Sequence, residues 1–248
     1  MQFGIVAGAL RVPVVEAPAA AAKLGFDGIE WSIRSSFGED PFWDDAVRGA
    51  VVRNARAAGV KLSSVILSIV GRIDFPADPT GRDWCRKLIL AAIRLCADAE
   101  IAVMMVPCFK KGRATPLDQI VRAAEDLRAC APAAQDAGVI LGVEDMITAE
   151  ENLDLFARID HPAVRLYYDL GNSIHFGIDP YREVPLLSHL ICQHHMKDAI
   201  WNPPLDAKGI PINAPRLLGE GDADFVRFLR EVVAHGYDQW LVLETSPA

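Results

Sequence analysis

The sequence is poor in cysteine: five thiols in 248 residues, at Cys85, Cys96, Cys108, Cys130 and Cys192. They lie far apart, form no CxxC pair and are odd in number, which argues against a disulfide framework or a thiolate zinc site and fits a reducing cytoplasm. Long apolar runs are missing too. No stretch approaches the roughly 20 residues that cross a bilayer, and MQFGIVAGAL has no positive charge ahead of its short apolar segment. Neither a membrane partner nor a targeting segment is expected. Positive charge is in deficit, with 25 Lys and Arg against 33 Asp and Glu and a net charge of −8. That balance opposes binding to nucleic acid, whose backbone needs cationic neutralisation. Linkers, low-complexity tracts and charge blocks are lacking as well, so residues 1–248 read as one domain.

What the chain does have is alternation. Eight β-rich runs, QFGIVAG, FDGIEW, KLSSVILSIV, IAVMMVP, VILGVED, VRLYYDL, LICQHHM and QWLVLET, begin at Gln2, Phe26, Lys61, Ile101, Val139, Val164, Leu190 and Gln239. Between them lie stretches such as AVRGAVVRNARAAG, with apolar residues at helical spacing. Gly25, Gly59 and Gly138 stand where helices should stop before the next strand. Eight βα units predict an α/β fold, a closed (β/α)8 TIM barrel, with a doubly wound open sheet as the competing arrangement. The eighth strand ends near Glu244 and the sequence stops at Ala248, so the eighth helix is expected to be missing. A loop, or a second copy of the chain in a homo-oligomer, is expected to cover that flank.

In such a barrel the C-terminal ends of the strands converge on one mouth, where active sites are built. Strand five ends in GVED with Glu144, strand six in YYD with Asp169, strand seven in QHHMKD with His195 and strand eight in LVLE with Glu244. Three carboxylates and an imidazole aimed at a common centre would repel one another and suffer desolvation unless a divalent cation balanced them. Oxygen-rich ligation with one nitrogen suits Mn²⁺ or Mg²⁺, with Co²⁺ and Zn²⁺ compatible.

The segments LGVED, YYDLGN, HHMKD and LVLE, with GFDGIEW near the start and LGEGDADF before the last strand, resemble the sugar phosphate isomerase/epimerase family of xylose isomerase-like TIM barrels. The resemblance covers the whole chain. It implies that Glu144, Asp169, His195 and Glu244 bind one divalent metal and that Glu144 and Glu244 form the acid/base pair. The implied reaction is isomerisation or epimerisation of a small ketose or hydroxy-ketone, by proton abstraction next to a carbonyl through a metal-bound enediolate. The alternatives are dehydration of an inosose-like ketone, a non-catalytic sugar- or metal-binding barrel, and an endonuclease, which the acidic balance opposes.

Alternation along strand seven turns Gln193 and His195 inward and His194 toward the helices. Lys197 is expected on the rim, holding a substrate oxygen or phosphate, or paired with Asp198. Glu30 reads either as a substrate-side contact or as a partner of Arg34. Asn172 and His175, in DLGNSIHFG, are candidate substrate contacts, with Asn172 where some relatives carry histidine. Asp145 adds charge beside the site, to hold a ligand or pair with a cation. Arg216 reads as an anion clamp or a surface residue, inside a structureless lid expected from Ile200 to Gly221. Trp31 and Trp201 are candidate walls over the substrate, and Trp240 is assigned to packing. Cys108 is expected to line the mouth without being a nucleophile. Asp222 or Asp224 is expected to cap the last helix.

Overall fold

Each β-rich run becomes a strand: β1 (Gln2–Val6), β2 (Gly28–Ser32), β3 (Lys61–Ile66), β4 (Val103–Pro107), β5 (Ile140–Glu144), β6 (Val164–Asp169), β7 (Ile191–Met196) and, after a small two-stranded ribbon of β8 (Asp198–Ala199) and β9 (Pro215–Arg216), β10 (Trp240–Leu243). The computed structural model describes residues 1–73, 75, 80–109, 116–207, 212 and 215–245. The large strands close into a parallel barrel in the order β1-β10-β7-β6-β5-β4-β3-β2. The open-sheet alternative is thereby excluded. Among the described residues no helix follows β10.

The helices α1 (Ala17–Lys23), α2 (Asp45–Ala58), α3 (Ser68–Arg72), α4 (Arg82–Asp98), α5 (Leu117–Asp136), α6 (Ala149–Ile159), α7 (Leu170–His175), α8 (Pro180–Leu187) and α9 (Phe225–Ala234) complete the βα units. In α4 the buried positions Cys85, Leu88, Ile89, Ala92, Ile93 and Cys96 recur at three- and four-residue steps and make one apolar stripe. Asp44 caps α2 by accepting from the Ala46 and Val47 N–H groups, and Gly59 ends that helix at φ +72°, a left-handed turn open to glycine. Thr148 and Glu151 form a reciprocal capping box on α6. Asp224, rather than Asp222, caps α9.

Two apolar regions follow from strand alternation. A large one lies between strands and helices, and a small one fills the barrel, where Val6, Ile66, Val103, Met105, Tyr167 and Val242 meet. Trp240 closes the lower end of the barrel against Gly28, where an added Cβ would come within 2.7 Å of the indole. The assignment of Trp240 to packing therefore holds. Pairing slips by one residue between Ile29 and Glu30 on β2 against β3, and between Leu166 and Tyr167 on β6 against β7. Both slips sit below the mouth and set which side chains meet there.

Candidate metal and acid/base centre

Strand register brings the four strand-end residues together. Asp169 lies opposite His195 across β6 and β7, and His195 lies opposite Val242 across β7 and β10. Glu244, two residues on, is held by its own N–H, which donates to the Met196 carbonyl at 3.2 Å. Glu144 ends β5 opposite Pro107 of β4. One ligating atom from each of Glu144, Asp169, His195 and Glu244 lies within 4.8 Å of the others.

His195 is fully buried, and its Nε2 sits 2.6 Å from Glu30 Oε2. A carboxylate accepts, so Nε2 carries the proton of that bond and Nδ1 is aimed at the centre. There Nδ1 lies 3.5 Å from Glu244 Oε2, 3.6 Å from Glu144 Oε1 and 3.7 Å from Asp169 Oδ2, and it makes no hydrogen bond. A buried, unpartnered nitrogen almost evenly spaced from three carboxylate oxygens has the donor chemistry of a divalent-cation site. These four residues fit a metal, with Glu30 orienting the imidazole.

Lys197 brings positive charge into the cluster. Lys197 Nζ donates to Asp169 Oδ2 at 2.7 Å, to Asn172 Oδ1 at 3.3 Å and to Glu244 Oε2. Its stem crosses α7 at Gly171, where an added Cβ would meet the lysine Cβ and Cγ at 2.7 Å. Burial raises the Glu144 pKa to about 8, although His195 pulls it down. Burial acts the same way on Asp169, but Lys197 and His195 outweigh it and hold that carboxyl well below the usual range. For His195, burial would lower the pKa, yet Glu30 and Glu244 keep it well above 6.5.

Several expectations need correction. Glu30 neither lines the mouth nor pairs with Arg34. It lies fully buried beneath the cluster, where it accepts from Ser64 Oγ at 2.7 Å, Tyr167 OH at 2.8 Å and His195. Lys197 turns into the cluster instead of pairing with Asp198, which accepts the N–H groups of Ala199, Gly219, Gly221 and Ala223. That pinning, and the pairing of Arg216 with Asp198 in the β8–β9 ribbon, mean that the described part of the Ile200 to Gly221 insertion is not structureless. Residues 208–211 and 213–214 of it lie outside the described residues.

Asp145 turns away from the centre and accepts from Asn152 Nδ2 at 3.1 Å and the Ile147 N–H at 3.3 Å. Trp31 packs edge-on against Phe42 in the outer core rather than over the mouth, while Trp201 is exposed. His194 faces the helices as alternation requires, among Tyr168, Phe228 and Tyr237. The Cys108 thiol is buried and its pKa is pushed well up by that burial. Asn172 belongs to the cluster: its Nδ2 donates to Glu144 Oε1 at 3.1 Å and its N–H to Asp169 Oδ1 at 3.0 Å. His175 ends α7, half-buried beside Phe176, with a pKa lowered by burial and by Lys197.

Ser64, Tyr167, Arg34 and Arg72 escaped the sequence reading as parts of the site, and Gln193, expected inward, has partners it did not foresee. Ser64 and Tyr167 support Glu30, and Gln193 Nε2 donates to both of them, at 2.6 and 2.9 Å. The inward positions two before Asp169 and His195 carried that signal. Arg34 and Arg72 line a cavity of about 420 Å³ that also touches Glu144 and Glu244. Lying beyond the strand ends, they left no periodic trace.

The chain is 25% identical over 212 residues to a 2-epi-5-epi-valiolone 7-phosphate 2-epimerase of Actinoplanes sp., covering 84% of this chain and 73% of that one. Its fold resembles L-ribulose 3-epimerase, with a TM-score of 0.77 at 20% identity over 100% of this chain and 82% of the other. It also resembles D-psicose 3-epimerase in the presence of D-fructose, with a TM-score of 0.79 at 16% identity over 100% and 86%. With residues 18–248, from within α1 onward, matching the model of that family, the chain belongs to the xylose isomerase-like TIM barrel family.

Proposed function

We propose that this chain is a divalent-metal-dependent epimerase of a small ketose or related polyhydroxy ketone, with isomerisation as the same chemistry directed to a neighbouring carbon. The observation that carries the proposal is that Glu144 and Glu244 belong to the cation cluster and also border one cavity of about 420 Å³. That volume suits a small polar substrate. The named epimerases to which the chain is similar support this reading.

Glu144, Asp169, His195 and Glu244 would hold the metal, with Mn²⁺ or Mg²⁺ preferred by the donor set. When bound, a divalent cation stabilises negative charge on a carbonyl oxygen and so acidifies the adjacent C–H. Glu244, whose side chain is 33% exposed, removes that proton. Glu144, buried and held by Asn172, donates one back. The two carboxylates come from β5 and from the end of β10, which β6 and β7 separate in the barrel. A carbon deprotonated by one and reprotonated by the other is inverted.

Elemental analysis of purified protein beside His195→Ala, followed by incubation with a ketose panel in D₂O, tests the reading. The expected result is about one metal per chain, lost in the variant, with deuterium entering at the carbon beside the carbonyl. Bound metal with no exchange on any ketose would remove the epimerase assignment. Failure to take up metal after reconstitution would remove the site.

A further inference from the structure

Beneath the four strand-end residues lies a second polar layer that no solvent reaches. Glu30, Ser64, Tyr167, Gln193 and His195, from β2, β3, β6 and β7, are all fully buried. Gln193 Nε2 lies 2.6 Å from Ser64 Oγ and 2.9 Å from Tyr167 OH. Those same hydroxyls lie 2.7 and 2.8 Å from Glu30 Oε1, and Glu30 Oε2 lies 2.6 Å from His195 Nε2.

One group sets the direction of every proton in this layer. An amide nitrogen only donates, and it carries two N–H groups; Gln193 directs one at each hydroxyl. A hydroxyl that receives an N–H keeps its single proton for another acceptor, and for both Ser64 and Tyr167 that acceptor is Glu30 Oε1. Ser63 Oγ, at 3.3 Å from Ser64 Oγ, is a longer contact and gives its own proton to the Ile29 carbonyl. The amide holds this orientation although its Oε1 has no partner among the described residues. Turned over, Oε1 would take the two hydroxyl protons, but both N–H groups would be unpaired and Glu30 would lose two of its three donors. A buried carboxylate short of donors is worse off than a buried amide carbonyl without one. The unmet oxygen is the trace of a constraint that serves Glu30.

We infer that Gln193 is a positioning residue of the metal centre: it commits the Ser64 and Tyr167 protons to Glu30, so that Glu30 meets His195 only as an acceptor. Nε2 then keeps its proton, and Nδ1 is the nitrogen whose lone pair a cation can take. This rests on the metal-site reading above and adds the residue that fixes the tautomer of the ligand. Gln193 stands two residues before His195, and the period-two alternation of β7 puts both on the inner face.

The test uses Gln193→Glu, which turns the donor into an acceptor, and Gln193→Met, which removes it at similar length. The Met change is also made in Ser64→Ala/Tyr167→Phe, to complete a cycle. Zn²⁺, diamagnetic and compatible with the donor set, is titrated in competition with a chelating dye. Proton spectra of ¹⁵N-histidine-labelled protein follow the His195 Nε2 proton, which a carboxylate at 2.6 Å holds far downfield. Zn²⁺ affinity is expected to fall on the order of 100-fold for the Glu variant and about 10-fold for the Met variant. The Nε2 signal is lost in the first and moves upfield in the second, and the Met change has no further effect where the two hydroxyls are already gone. Folded Glu and Met variants with wild-type affinity and an unmoved signal would overturn the inference. So would a Met effect of equal size without the hydroxyls, which would assign Gln193 to packing. Should the Glu variant not fold, the Met cycle decides alone. If the wild type takes up no Zn²⁺, the metal reading falls, and the Nε2 signal of metal-free protein decides this one: moved in the Met variant it supports the inference, unmoved it overturns it.

Discussion

His194 and His195 are neighbours on β7 and equally buried, yet their surroundings have nothing in common. His194 lies among the rings of Tyr168, Phe228 and Tyr237, and neither of its nitrogens has a partner. His195 is ringed by Glu30, Glu144, Asp169 and Glu244. Burial is the same; the period-two turn of the strand decides whether an imidazole fills space among rings or faces the carboxylate cluster. The carboxylates divide in the same way. Glu30 is buried among three side-chain donors, whereas Glu183 is buried with one, the Ala149 N–H at 2.7 Å.

The largest test of that contrast removes chemistry from the inner face. Glu244→Gln keeps the shape but not the base, and proton exchange is expected to fall by about 10³-fold, read from deuterium incorporation with metal content measured in parallel. Glu30→Gln touches no metal or substrate directly. An amide nitrogen must then face one of the three donors, His195 loses its fixed orientation, and metal affinity is expected to fall about 10- to 100-fold in a competition titration with a chelating dye. An unchanged affinity would demote Glu30 to packing.

Smaller effects belong to the outer carboxyl. Burial, only partly offset by the Ala149 N–H, raises the Glu183 pKa from 4.5 to about 7. The folded state therefore holds the proton more tightly than the unfolded chain, and stability falls as pH rises from about 4.5 to about 7. Glu183→Gln is expected to gain about 1 kcal/mol at pH 8 and almost nothing at pH 4, measured as the difference in urea midpoints. The smallest effect is expected from His194→Phe, which replaces an unpartnered ring by an apolar one among aromatics. Stability should change by less than about 1 kcal/mol with metal content unaltered. Loss of metal there would break the division between the two faces.

Alternation and turn residues make the barrel legible, because helix-spaced stretches separate the strand runs and Gly25, Gly59 and Gly138 stop three of them. Glu144, Asp169, His195 and Glu244 are readable for the same reason: each stands at a strand end. The supporting layer is not. Glu30 meets its partners Ser64, Tyr167 and His195 from 34, 137 and 165 residues away, and the register slip at Ile29/Glu30 pairs Glu30 with Ser64 rather than Ser63. A local pattern carries no record of such a slip. Trp31 was legible and misread, since a residue next to inward-facing Glu30 must point outward. Lys197 depended on Gly171, whose missing side chain opens the path to Asp169, a relation between two strand ends that spacing does not encode.

The inward lysine also bears on the order of events in the life of the chain. Unpaired buried carboxylates each cost several kcal/mol, and a barrel that needed metal to neutralise them would have to wait for it before closing. Lys197, bonded to Asp169 and Glu244, supplies part of that neutralisation from within the chain, so closure of the barrel is expected not to depend on an ion. Protein refolded from urea in the presence of a strong chelator is expected to regain its near-ultraviolet dichroism, while Lys197→Met refolded in the same way is not.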